Sequence, residues 1–347
     1  MSLENAPLKT LDILSNSMVT TDNCVLRENQ DTIIGRGTLD TMVAQRDEIL
    51  KIRGFRVPER WDHSWNYKLG PVWTPTSLIH GHHVYWFKPD GMRPETNNAG
   101  LCVEWTAERG SINMTQNTTT RMPALVNDDT GIRGFNYLEW ADGAEQDFIQ
   151  METAAVTGPE FLIVMMVDLD DAPDEEVTII TKGASPNVSN SWSLKVDYSG
   201  TNKDLIWKVG SNTLTHTMNG DGETIISCGQ IDIGGSRYRP FIAAYDGRSV
   251  VSDMMALTGS ANSITSNGKV QIGRSIQLVS DPDYLQGIKI YEIIIYDEDT
   301  VSNTNVPPNI TTWRDLITGY LASKYHAKKL LPSAHTYKEK IPRASIT

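Results

Sequence analysis

Residues 158–169 read GPEFLIVMMVDL, an apolar run opened by a Gly-Pro pair and closed by acidic residues. A run of this length with no polar alternation is too short for a membrane span and suits a strand buried on both faces. Working outward, short β-rich runs recur at residues 83–87, 101–106, 177–182, 192–198, 205–209, 224–228, 238–245, 249–257, 269–272 and 288–296. Leu194, Val196 and Tyr198 alternate with polar residues as a half-buried strand does. Between the runs lie Asn219-Gly220-Asp221-Gly222, Asp246-Gly247 and Asn267-Gly268, the residues hairpins favour. Many strands with scarcely any helix between them predict an antiparallel β-sandwich, mainly β and jelly-roll-like, rather than a parallel α/β sheet.

Two helices are expected. Residues 38–52 carry Leu39, Met42, Val43 and Ile49 at helical spacing behind a Thr38 cap. Residues 309–329 carry Trp313, Leu316, Ile317, Tyr320, Leu321 and Tyr325 on one stripe, with Lys324, Lys328 and Lys329 at the negative end of the dipole. The organisation read from these signals is an extended N-terminal arm over 1–80 containing one short helix, a sandwich over 81–330, and an extended tail over 331–347.

A formal charge of −12 argues against a general nucleic-acid binder, which needs a concentrated basic surface. No stretch has the roughly 18 apolar residues of a membrane helix, and the N-terminus lacks a basic-then-apolar leader, so synthesis in a cytosol without membrane insertion is expected. Cys24, Cys102 and Cys228 are odd in number and in no ligand rhythm, and read as free thiols in or near the core.

The segment RGFRVPERWDHSWNYKLGPVWTP, residues 53–75, has no sustained period but holds Phe55, Trp61, Trp65, Tyr67 and Trp73. That is too much aromatic surface for a free linker. It is either an interface with another protein or a strap across its own sandwich.

The stretch LQGIKIYEIIIYDEDTVSNTNVPPNITTWRDLITGYLASKYH, residues 285–326, resembles the closing strand and helix of concanavalin A-like (laminin-G-like) sandwich domains common in tailed-bacteriophage virion proteins. Gly287, Glu292 and Tyr296 match the strand's marks, and Tyr320, Leu321, Lys324 and Tyr325 the helix's. VYWFKPDGM at 84–92, Val103-Glu104-Trp105, and NYLEWADGAEQDFIQM at 136–151 look like its opening strands. The resemblance implies a multi-copy virion structural protein that docks on capsid or tail proteins through its N-terminal region, with capsid decoration slightly favoured. It also implies an alternative, a carbohydrate- or receptor-binding module for a host-surface glycan.

Within that family the glucanases place Glu-x-Asp-x-x-Glu on one strand. Here residues 145–150 read EQDFIQ, and Gln150 stands where the acid should be. A glutamine cannot cycle a proton, so the chain is expected not to be an enzyme and to need no cofactor. Asp168, Asp170 and Asp171 lie in an acidic loop of the kind that holds Ca²⁺ when it folds back on itself, although a solvated loop explains them as well. His80, His82 and His83 lack a nearby acidic or thiol partner and read as a turn before the first strand. For a sugar, Trp192 and Trp207 are the candidate stacking rings if they point outward.

Overall fold

In a computed structural model, the described residues are 24–28, 32–37, 73–75, 83–126, 135–140, 147–153, 156, 160–169, 176–183, 191–198, 203–218, 222–232, 238–247, 252–254, 268–274, 287–297 and 310–342. The chain divides into two compact units, Met1–Val72 with Arg343–Thr347, and Trp73–Pro342. The first contains an antiparallel pair, β1 (Cys24–Glu28) and β2 (Thr32–Gly37), with a register shift between Val25 and Arg27. Each strand has only five or six residues, too few for periodicity to mark them in the sequence. The expected helix at 38–52 lies outside the described residues, as do Phe55, Trp61, Trp65 and Tyr67.

The second unit is an antiparallel β-sandwich with one helix near its C-terminus. One sheet of eight strands contains β3 (His83–Phe87), β7 (Ala124–Val126), β8 (Tyr137–Glu139), β10 (Phe161–Asp168), β15 (Glu223–Asp232), β16 (Tyr238–Tyr245), β17 (Ser252–Met254) and β19 (Lys289–Asp297). The other, of nine, contains β4 (Met92–Pro94), β5 (Cys102–Trp105), β6 (Met114–Thr115), β9 (Ile149–Met151), β11 (Glu176–Lys182), β12 (Trp192–Asp197), β13 (Lys203–Val209), β14 (Asn212–Met218) and β18 (Val270–Ile272). The helix α1 runs Ile310–Lys324.

The run that opened the sequence reading is β10, central in its sheet between β15 and β19. Strand alternation sends Phe161, Ile163, Met165 and Val167 into the core between the sheets, and Leu162, Val164 and Met166 to the opposite face beneath α1. Both faces are buried, which is why the run is continuously apolar. β19 repeats this with one irregularity. A register shift opposite Met166 and Val167 admits Tyr291 as an extra residue, so that Glu292 shares the helix-covered face with Ile294 and Tyr296.

Beyond α1, residues 331–342 are not an extended tail. Leu331 is buried, and backbone bonds from His335 to Pro332 and from Lys338 to His335 coil the segment into turns. Its end meets the beginning of the sandwich, where Trp73 N–H donates to Pro342 O at 2.9 Å. Lys338 helps explain the compaction: its ammonium donates to the Lys328 and Leu331 carbonyls at 2.8 and 2.7 Å, tying the segment back to the turn that follows the helix.

Candidate functional site

The residues singled out by the resemblance converge beneath α1. Glu292 is fully buried, and its Oε1 accepts from Trp86 Nε1 at 2.6 Å, while its Oε2 accepts from Tyr325 Oη at 2.8 Å and from Lys324 Nζ. Burial and the neighbouring Glu292 charge hold the Tyr320 and Tyr325 phenols well above their ordinary range, so both stay protonated donors. Both oxygens of the carboxylate are thus engaged, and Glu292 itself is closed off from solvent while Lys324 keeps part of its side chain in water. Its chemistry is attachment of helix to sheet.

The two tryptophans proposed as sugar platforms are core residues. Trp192 and Trp207 are almost wholly buried, pack on each other at 5.6 Å and on Phe161 at 5.6 and 6.0 Å, and Trp207 Nε1 donates to Gly229 O at 3.0 Å. Their parity decides this: Trp192 is in phase with Leu194 and Val196, and Trp207 with Leu205 and Val209, all of them inward. Trp73 is likewise packed within its own unit, against Trp313 at 6.3 Å and Tyr320 at 6.1 Å. Among the described residues the large hydrophobic side chain left exposed is Ile341, so they offer no open ring for a sugar to stack on.

Asp168 ends β10 opposite Glu223 and Lys289, whereas Asp170 and Asp171 lie outside the described residues. Among the described residues no group of three or more His, Cys, Asp or Glu side chains is gathered for a metal ion. His83 begins β3, and His80 and His82 are not described. Cys102 and Cys228 are buried free thiols, raised by desolvation to about 12 and well above the ordinary value respectively, which keeps both unreactive.

What remains is the face of the nine-stranded sheet turned away from the core. The registers align one residue from every strand into a single cross-strand row. From the β4 edge it runs Arg93, Glu104, Thr115, Gln150 and Gln271. It continues through Thr181, Ser193 and Lys208 to Thr213 on β14. All are amide, hydroxyl or charged side chains; Thr181 among them is buried, and its hydroxyl donates to Trp192 O at 3.1 Å. At roughly 4.8 Å per strand the row spans on the order of 38 Å. Two links are directly visible. Gln271 Nε2 donates to Gln150 Oε1 at 3.0 Å, and Arg93 Nη2 meets Glu104 Oε2 at 2.6 Å. Gln150, read in the sequence as the misfit in a carboxylate string, is the fourth residue of this row, next to the central Gln271.

At the β4 end the row runs into an open cleft of about 430 Å³ lined by Lys88, Asp90, Arg93, Thr106 and Glu108 among others. Lys88 pairs with Glu108 at 3.0 Å and lies 4.0 Å from Asp90. The floor is rigid: Gly91 N–H donates to Lys88 O and Thr106 N–H to Gly91 O, and a Cβ on Gly91 would come within 2.4 Å of Thr106 O. Each cation faces a carboxylate, so the cleft offers donors and acceptors together without a dominant charge, an arrangement suited to a neutral, hydroxyl-rich ligand.

No family model and no curated protein matches the chain. Among solved structures it is similar to domain 4 of AbnA, an extracellular arabinanase from Geobacillus stearothermophilus in complex with arabinotriose, at 12% identity over 63% of this chain and 94% of that one, with a TM-score of 0.39. It is similar to the enzymatically active domain of tailspike protein 2 from bacteriophage CBA120, at 15% identity over 66% of this chain and 32% of that one, TM-score 0.39. A third is an arabinofuranosidase complexed with arabinofuranosyl-α-1,2-xylobiose, at 10% identity over 78% and 62%, TM-score 0.42. At such scores no residue role passes from them to this chain. They do correct one expectation. The non-enzymatic reading rested on the missing Glu-x-Asp-x-x-Glu string, yet the structures similar to the chain include an arabinofuranosidase and an enzymatically active tailspike domain. The lack of one carboxylate pattern does not exclude catalysis on a fold, and that reading is withdrawn.

Proposed function

We propose that the protein is a virion component of a tailed bacteriophage whose sandwich binds carbohydrate. In this reading a saccharide chain lies across the strands of the nine-stranded sheet, over Gln150 and Gln271, with one end at the cleft around Arg93 and Asp90. The observation that carries the binding reading is the stretch of the polar row from Arg93 to Gln271, amides and hydroxyls with the paired charges of Arg93 and Glu104 at its end. Sugar hydroxyls both donate and accept, and planar amides and carboxylates meet them with paired hydrogen bonds. Without an open aromatic ring among the described residues, affinity here comes from hydrogen bonds and from water displaced along the row. The virion assignment is supported by the resemblance of residues 285–326, whose marked side chains form the clamp around Glu292. The N-terminal region is the proposed contact with capsid or tail proteins.

The test is a panel of immobilised neutral and acidic oligosaccharides probed with the full chain and with Gln150→Ala/Gln271→Ala, the supernatant being assayed for released sugar. The reading expects binding to neutral chains that falls at least tenfold in the double variant, about 1.4 kcal/mol. Equal binding by the variant, or binding to no member of the panel, overturns it.

A further inference from the structure

We propose that residues 332–342 are a strap held on helix α1 by neutral His335, and that acid releases it. The observation is the pair of opposite hydrogen-bonding demands made on one imidazole. Thr318 Oγ1 donates to Arg314 O at 2.8 Å, which leaves its lone pairs toward His335 Nε2 at 3.0 Å. Nε2 therefore carries a hydrogen and donates. On the other side Tyr337 N–H donates to His335 Nδ1 at 3.1 Å, so Nδ1 must be bare. The neutral ring satisfies both partners. Protonation at Nδ1 aims one N–H at another, removing a bond and adding a repulsion in the same place.

The rest of the strap depends on that ring. Tyr337 lies so close over Gly319 that a Cβ at 319 would be 2.5 Å from the Tyr337 Cβ, so the strap seats on α1 where the helix has no side chain. His335 stands edge-on to Tyr245 of β16 at 5.6 Å. The strap's last described residue is Pro342, whose carbonyl holds Trp73 N–H.

The charged and titratable groups around the ring come from three directions. From α1, the Asp315 carboxylate favours the imidazolium and Arg314 opposes it. From the strap, Lys338 opposes it, although its ammonium is turned to the carbonyls of Lys328 and Leu331. Tyr245, raised by burial to about 12, and Tyr337, also raised, are neutral. At the turn below, Lys328 lies near Glu339, and Lys329 pairs with Glu223 at 3.3 Å. Desolvation is the largest influence and holds His335 below its ordinary value. A lowered histidine stabilises the closed strap fully above the open-state value of about 6.5. That contribution is lost as pH falls from there toward the closed-state value, and is constant below it.

The experiment is amide hydrogen exchange of the full chain between about pH 7.5 and about pH 5, corrected for intrinsic exchange, with an NMR titration of the His335 ring. The expected result is that protection of the Tyr337, Lys338 and Trp73 amides falls by up to tenfold per pH unit within the window, while Met165 in β10 does not change. His335→Gln, closed or open, loses this pH dependence, and the wild-type ring titrates below a free histidine as the Nε2–H tautomer. Flat protection in the wild type, an unchanged pH dependence in His335→Gln, or a ring that titrates at or above the ordinary value overturns the proposal.

Discussion

The two sheets share one core, but their outer faces differ in kind. On the eight-stranded sheet the outer face is apolar, Leu162, Val164, Met166, Ile294 and Tyr296, and α1 packs over it. The fully buried carboxylate there, Glu292, accepts from Trp86, Lys324 and Tyr325. On the nine-stranded sheet the equivalent outward positions form the row from Arg93 to Thr213, with only some of its hydrogen-bonding capacity met among the described residues. A sheet face closed by its own chain pairs its buried charge internally, because a buried charge without a partner is costly; the Ser227 hydroxyl on that face, by contrast, has no partner among the described residues. A face meant to meet something else keeps groups to spare. That contrast, rather than any one residue, marks the binding side.

The largest effect expected from this contrast is on the closed face. Glu292→Ala leaves the Lys324 ammonium and the Trp86 and Tyr325 donors without their acceptor, and should cost about 3–5 kcal/mol in urea unfolding. A loss below about 1 kcal/mol would mean the clamp is not what holds the helix. Next comes the shared core. Trp207→Phe opens a small cavity and removes the indole's hydrogen bond to the Gly229 carbonyl, for about 1–2 kcal/mol, with no change in sugar affinity per folded molecule. A selective loss of affinity would return Trp207 to the list of binding residues.

Asp147, just ahead of β9, gives a pH signature. Burial raises its carboxyl from 3.8 to about 6. The folded state then favours the protonated form, so this contribution is present below the unfolded value and is lost as pH rises through about 6. Asp147→Asn should abolish the slope between those values and stabilise the protein near neutral pH by about 1 kcal/mol, the full linkage being discounted because Asp147 is only partly buried. A slope retained in the variant would assign it to another carboxyl. The smallest stability effect is expected from Gln271→Ala on the open face, under about 0.5 kcal/mol in the same unfolding assay, while binding falls severalfold.

Much of the closed side was legible in the sequence. The uninterrupted run of β10 reveals a strand buried on both faces, and the stripe from Trp313 to Tyr325 reveals the helix that covers it. Glu292, Lys324 and Tyr325 stood out as a pattern, and the hydrogen bonds supply its physical cause. The orientation of the tryptophans was also available. Extending the alternation of Leu194 and Val196 back to Trp192 places that ring inside, and Leu205 and Val209 do the same for Trp207. The polar row was not legible, since it exists only through registers among strands, of which β6 has two residues and β9 and β18 three each. Nothing local says that Thr115, Gln150 and Gln271 are neighbours. The strap was missed for a related reason. A polar segment with Pro332 and Pro342 reads as an extended tail, and only the folded chain brings Thr318 to His335 and Trp73 to Pro342.

The most direct test of the central claim is a crystal structure of the full chain soaked with the neutral oligosaccharide that binds best in the panel. Sugar density crossing the strands over Gln150 and Gln271, with one end at Arg93, is the result this account predicts. Density on the α1 side, or in a site that leaves the row untouched, would contradict it.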